Sequence, residues 1–393
     1  MRPSPRCAVL LLLTLAGSRA LPAQLDPHQV PRRPHLPAEA DSNSAREYFR
    51  LGISQMAKHP QDAAAAFYWA SRLDPSWPDP VYGRHVALLV AHPLRVIDGY
   101  VLRDRNTMKD PRIRAIDSVA YQALLINPWL DRRFDGTLLD TWIEGVTGSP
   151  TVWAGEVRQR NPWAAGWISY NQGKFPDAVA DFTEGLKREP GSPWTLLARA
   201  RSYVVLGRVD SAVADARSAL ATLRQHNEEW VTLSYVAEPF VEYGIGYLYE
   251  QMQQRDSARA AYERALLDDV AFYPAHRRLA FLRLAAADTA GAVAELQQAT
   301  TINPGYAVAL FEYGMLNLAT GHPDSAIAIF GRARDAEPWY PAPRLALAKV
   351  YDRYGFAAEA LAEYQAFVAR APKSMASQLE AAGQRIAALK ADQ

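Results

Sequence analysis

Small and large apolar residues recur along this chain at a fixed interval. Ala178 and Ala212 stand 34 residues apart, and after one longer step so do Ala258, Ala292, Ala326 and Ala360. Four residues after each comes Phe182, Ala216, Tyr262, Leu296, Phe330 or Tyr364, and twelve before each comes Gly166, Ala200, Gly246, Ala280, Gly314 or Ala348. Two small residues twelve apart let a first helix and a second helix approach closely, while the larger residue one turn later fills the space between them. Gly173, Gly207, Gly321 and Gly355 lie five before the alanine column, where a helix C-terminus favours a residue with positive φ. Pro190, Pro304, Pro338 and Pro372 end the unit twelve after it, because proline disfavours helical geometry in the residue before it. The pattern predicts stacked helical hairpins, none of which can bury its apolar face alone.

Fainter units precede the regular ones. Leu51-Gly52, Ala63, Phe67, Ala70 and Pro75 make one, a residue short in its turn. Two eroded units fill the interval from Pro75 to Pro162, the first ending in Ile116, Ala120, Ala123 and Asn127-Pro128 and carrying an insertion near 95–113. Between Ala212 and Ala258 the interval grows by twelve residues, a little over three helical turns, so longer helices are expected near 220–240. The organisation expected is divergent repeats over 45–162, a well-matched array over 163–372, and a capping helix over 373–393.

These columns resemble the tetratricopeptide repeat. The fullest match runs from Asn303-Pro304 to Ala371-Pro372, with Tyr313-Gly314, Gly321, Ala326, Phe330, Ala333 and Pro338, then Ala348, Tyr351, Gly355, Ala360, Tyr364 and Pro372. The resemblance implies an all-α, right-handed α-solenoid of about eight or nine hairpins. In that family the first helices line the concave face through their second, fifth, ninth and twelfth positions. Mapped here, those positions give candidate partner-binding residues Trp163, Trp167, Tyr170, Trp194, Arg201, Tyr243, Tyr247, Arg277, Phe281, Phe311 and Met315. The family's clamp for a C-terminal carboxylate uses Lys and Asn at the fifth and ninth positions. Trp163 and Trp167, Leu197 and Arg201, and Tyr243 and Tyr247 stand there instead, which argues against that ligand. The dipeptides Pro128-Trp129, Pro162-Trp163 and Pro338-Trp339 leave a second reading open, in which these indoles wedge between repeats.

The N-terminus bears on compartment. Arg2 and Arg6 precede an apolar run from Cys7 to Ala16, with cleavage expected after Ala20 or Ala23; this is the layout of a secretory signal peptide over 1–23. The run is too short to span a bilayer, and no later run is suited to an integral membrane span. Residues 24–44, with Pro27, Pro31, Pro34 and Pro37, read as a disordered tether. Export to the periplasm or cell envelope follows as an expectation. Cys7 is the only cysteine, so the remainder offers no disulfide, thiol nucleophile or cysteine-held metal.

Charge and chemistry narrow the function further. The chain has 43 basic and 42 acidic residues, and loss of Arg2, Arg6 and Arg19 takes its formal net charge from +1 to −2, which does not favour a nucleic acid. His85 and His92 share a helical face without a third ligand nearby, so no metal is expected. Glu228-Glu229 and Asp268-Asp269 point about 100° apart if helical and form no acid-base pair. The pairs Arg132-Arg133 and Arg277-Arg278 read as surface charges. With no phosphate loop or nucleophile motif, and no cofactor implied, the expectation is an exported scaffold. It would act without catalysis and bind a protein or peptide in an aromatic groove. A glycan- or cell-wall-binding module using the same Trp, Tyr and Arg side chains is the alternative.

Overall fold

The computed structural model describes residues 29–101, 105–147, 161–225 and 236–391. The expected signal peptide over 1–23 and the polar run His226 to Glu229 lie outside these, as does the middle of the segment expected to lengthen helices near 220–240. Twenty α-helices stand in the described residues. In chain order they begin α1 (Ala45–Gln55), α2 (Pro60–Leu73), α3 (Pro78–Val90), α4 (Leu94–Val101), α5 (Arg105–Lys109), α6 (Pro111–Ile126) and α7 (Asp135–Thr147). They continue α8 (Pro162–Asn171), α9 (Phe175–Arg188), α10 (Pro193–Val205), α11 (Val209–Gln225), α12 (Glu238–Gln251), α13 (Arg255–Asp268) and α14 (Tyr273–Ala285). The last are α15 (Thr289–Ile302), α16 (Ala307–Ala319), α17 (Pro323–Ala336), α18 (Pro341–Arg353), α19 (Ala357–Val368) and α20 (Ala376–Ala391).

Consecutive helices pair as hairpins from α8 to α19, as do α1 and α2; α3 pairs with α6, with the short α4 and α5 between them. This is an all-α solenoid. Its core runs along the stacking axis, and the alanine column from Ala178 through Ala360 is wholly buried. The small column has a steric cause. A Cβ on Gly166, Gly246 or Gly314 would sit 2.4 to 2.5 Å from a ring carbon of Phe182, Tyr262 or Phe330, closer than two carbons can pack. The second helix rests its aromatic ring on the bare backbone of the first.

The turn of each regular hairpin from α8 to α19 holds a left-handed residue. Gly173, Gly207, Gly321 and Gly355 have φ of 71° to 82°, and the same position in the two remaining regular hairpins is filled by Gln253 (φ 59°) and Ala287 (φ 60°). Ala287 N–H donates to Leu284 at 3.0 Å and Asp288 N–H to Arg283 at 2.9 Å, closing the helix as Gly321 does. Left-handed geometry costs a Cβ-bearing residue about 1–2 kcal/mol, against roughly 0.5–1 kcal/mol for the freedom a glycine loses on folding. Ala287→Gly should therefore raise stability by about 0.5–1 kcal/mol, seen as a higher urea midpoint.

The array bends far enough for its ends to meet. The indoles of Trp69 on α2 and Trp339 before α18 pack edge-on at 5.2 Å, and Arg72 Nε lies 2.8 Å from the buried Glu337. Asn43 Nδ2 donates to the carbonyls of Ala369 and Ala371 at 3.1 and 3.4 Å, and Lys373 N–H to Asp41 at 2.6 Å. The expected tether is thus ordered from residue 29. Leu36 is buried, Trp69 Nε1 donates to the Pro31 carbonyl at 3.1 Å, and Arg33 donates to Tyr48 Oη at 2.9 Å and to the Ser42 carbonyl. The Arg33 guanidinium lies over Tyr48, Trp69 and Trp339 at 5.2, 5.0 and 4.9 Å. Prolines remove N–H donors but leave carbonyls, so such a segment can lie on a surface that supplies donors. At the other end α20 buries Ala382 and Leu389 in a cluster with Tyr364 and Phe367 of α19.

Candidate functional site

The ninth positions of the first helices, Trp167, Arg201, Tyr247, Phe281 and Met315, are those the family resemblance expects to face a partner. Their exposure rises along the chain. Trp167 and Arg201 are each 8% exposed, Tyr247 is half-buried, and Phe281 and Met315 are 37% and 45% exposed.

The cause is a segment of the chain itself. Residues 127–134, between α6 and α7, lie against α10 and α12, an excursion no repeat pattern encodes. Tyr243 Oη donates to the Leu125 carbonyl at 2.8 Å. Arg201 donates to the carbonyls of Leu130 and Pro128 at 2.6 and 3.1 Å. In return Trp129 Nε1 donates to the Gly244 carbonyl at 2.8 Å. Asn127 starts the excursion by accepting the Trp129 N–H at 3.0 Å, a side-chain turn that ends the helical path. The surface of α10 and α12 around Arg201 and Gly244 is thus covered by the chain's own residues 127–134.

Two of the expected partner-binding residues are thereby corrected. Tyr170 and Tyr243 are 0% and 1% exposed and belong to the packing between repeats. Burial raises both phenols to about 12, so they remain neutral donors, Tyr170 reaching Asp131 at 3.3 Å. Arg132 and Arg277 are not solvated surface charges either. Arg132 pairs with Asp135 at 2.9 Å and lies over the Trp167 ring at 5.0 Å. Arg277 grips Glu312 in a two-pronged bond of 2.7 and 2.6 Å. His85 is buried, its Nδ1 2.9 Å from the Ile116 carbonyl. Among the described residues no cluster of His, Cys, Asp and Glu could hold a metal ion, and no helix is long and apolar enough to cross a membrane.

Seven of the other candidates gather in two places. Trp163, Trp167, Trp194 and Arg201 surround a recess between α8, α10 and α12, with an empty volume of about 580 Å³ that includes the solvent open above it. Trp129 and Arg132, which the repeat positions did not nominate, complete its wall; the signal that pointed to Trp129 was its place after Pro128. Farther along, Arg277 lies over Phe281 at 5.2 Å, and Leu284 and Met315 add exposed apolar surface. Phe311 turns into the hairpin instead, 5.8 Å from Phe330 and 5.9 Å from Tyr340, and Tyr247 lies under Arg278 at 4.8 Å.

Three segments, 164–227, 243–267 and 317–383, match models of the tetratricopeptide repeat. No curated protein matches the sequence. Among solved structures, YrrB, described as a TPR protein with an unusual peptide-binding site, is 18% identical; the match covers 51% of this chain and 96% of that one, with a TM-score of 0.39. The pilF protein of Pseudomonas aeruginosa is 13% identical, with 61% of this chain and all of that one covered and a TM-score of 0.43. The Cut9–Hcn1 tetramer of the APC/C is 13% identical, with 86% and 76% covered and a TM-score of 0.39. The matched segments fall on the hairpins whose glycines, rings and left-handed turns recur in step, and these segments are tetratricopeptide repeats.

Proposed function

We propose that this protein is an exported, non-catalytic scaffold that holds a segment of a partner protein against the open part of its inner face. The observation that carries the reading is the exposure of Phe281, Leu284 and Met315, at 37%, 36% and 45%, on first helices where the family presents ligand-facing side chains. Large apolar residues left open at the centre of a concave surface are the kind that concentrate binding energy. Arg277, fixed by Glu312 beside Phe281, adds a pre-organised cation. The face at α10 and α12 is taken by residues 127–134, which restricts the partner to the α14–α16 side.

The double substitution Phe281→Ala with Met315→Ala tests this. Affinity capture from envelope extract by the wild type and the variant, compared by quantitative mass spectrometry, should show a partner depleted by about tenfold or more. The melting temperature should stay within a few degrees, because neither side chain is a core residue. An unchanged set of captured proteins would overturn the reading. Export rests on the basic start and short apolar run of residues 1–23. N-terminal sequencing of the protein from its native host should begin at Leu21 or Gln24, and full-length protein retained in the cytosol would sink that part.

A further inference from the structure

Arg201 is a buried cation without a counter-ion among the described residues. Its guanidinium donates only to the backbone carbonyls of Leu130 and Pro128, and no carboxylate pairs with it among the described residues. The nearby Asp135 is engaged by Arg132 at 2.9 Å and by Tyr82 Oη at 2.6 Å. Enclosed arginines ordinarily face a carboxylate, because removing an uncompensated charge from water is costly. Burial, reinforced by the neighbouring charge of Arg132, pushes Arg201 down to about 10. A second orphan lies beside it: Trp167 is 8% exposed, and its indole N–H has no acceptor among the described residues.

Both residues line the recess between α8, α10 and α12. Every polar side chain in its described lining, from Trp129, Arg132, Trp163, Trp167, Trp194 and Arg201, is a hydrogen-bond donor, and the remainder is apolar. An amine would be repelled by the Arg201 guanidinium, whereas Arg132 is already paired with Asp135. A sugar needs acceptors for its hydroxyl protons, and these side chains offer none. A flat apolar body suits indole walls, and a carboxylate supplies both the missing charge and the missing acceptor.

We infer that this recess binds a small aromatic carboxylate, a single ring carrying its acid on a short arm, with the ring among Trp163, Trp167 and Trp194 and the acid toward Arg201 and Arg132. The site is separate from the partner surface proposed on α14 and α16, so either can fail without the other.

The test is titration of the full chain with phenylacetate, followed by tryptophan fluorescence and calorimetry, beside benzyl alcohol, phenethylamine and N-acetyl-glycyl-phenylalanine. Phenylacetate should bind saturably at one site, at least about tenfold more tightly than the alcohol or the amine. Leu197→Trp, which fills the recess from a half-buried wall position while sparing the bonds of Arg201, should abolish binding. Should that variant fail to fold, Trp194→Leu should weaken binding by about tenfold with an unchanged melting temperature. Equal affinity for benzyl alcohol would overturn the inference, as would binding that survives these substitutions. About tenfold tighter binding of the peptide acid would also overturn it, by assigning the recess to a chain end.

Discussion

Trp129→Ala is expected to destabilise the fold by about 3–5 kcal/mol, the cost of truncating a large core side chain. Trp129 stands on a connection between helices, where substitutions are ordinarily mild, yet it is 8% exposed and bonds the Gly244 carbonyl 115 residues away. A Cβ on Gly244 would come within 3.4 Å of the indole, so ring and helix are already in contact. The ring also lies 5.6 Å beneath the guanidinium of Arg201; without it that cation keeps its burial and loses a favourable face. Trp194→Ala, on the half-buried rim of the same recess, should cost under about 1.5 kcal/mol. Urea denaturation of the two variants checks the contrast, and equal costs would show that the segment over 127–134 does not pack against α12.

The second large effect concerns pH. Burial raises the Glu337 carboxyl from the ordinary 4.5 to about 7, opposed by Arg72 and by the Trp339 N–H. Arg72 Nε is near at 2.8 Å but is not aimed to form a hydrogen bond, so compensation is incomplete. Arg33 and Arg370 face the adjoining Trp339 ring at 4.9 and 5.9 Å. A raised folded value means that the native chain holds a proton which the unfolded chain has released. This contribution is fully present below about pH 4.5 and is lost as pH rises through about 7. The difference corresponds to about 3 kcal/mol. Unfolding free energies from urea titration should therefore fall between mild acid and mild alkali by that amount, and Glu337→Gln should flatten the slope. A wild type and a Gln variant with parallel profiles would place the carboxyl in solvent.

The hairpins were legible in the sequence because each rests on contacts less than one repeat apart. Gly314 and Phe330 are sixteen residues from each other, and the same steric need recurs at Gly166 and Gly246. Positive φ was legible where glycine marks it and not at Gln253 or Ala287, where the surrounding turn imposes it. The expected partner-facing positions were harder. Their register was visible, but whether Arg201 or Tyr243 meets solvent depends on residues 71 and 118 positions earlier, a contact with no periodicity. Residues 29–44 misled for another reason: proline content signals a chain that makes no regular ladder, and it says nothing about whether a neighbour supplies donors such as Trp69 and Arg33.

An open solenoid gains or loses units freely, since a new repeat finds the same neighbour as the one before. Here Trp69 and Arg72 near the start require Trp339 and Glu337 at a fixed place some 270 residues later. A duplicated hairpin anywhere between them would carry the second pair past the first by one repeat's rotation and leave both buried surfaces bare. The number of units between them is thereby set by geometry, and lineages of this chain should vary in their turns and surface while keeping that count.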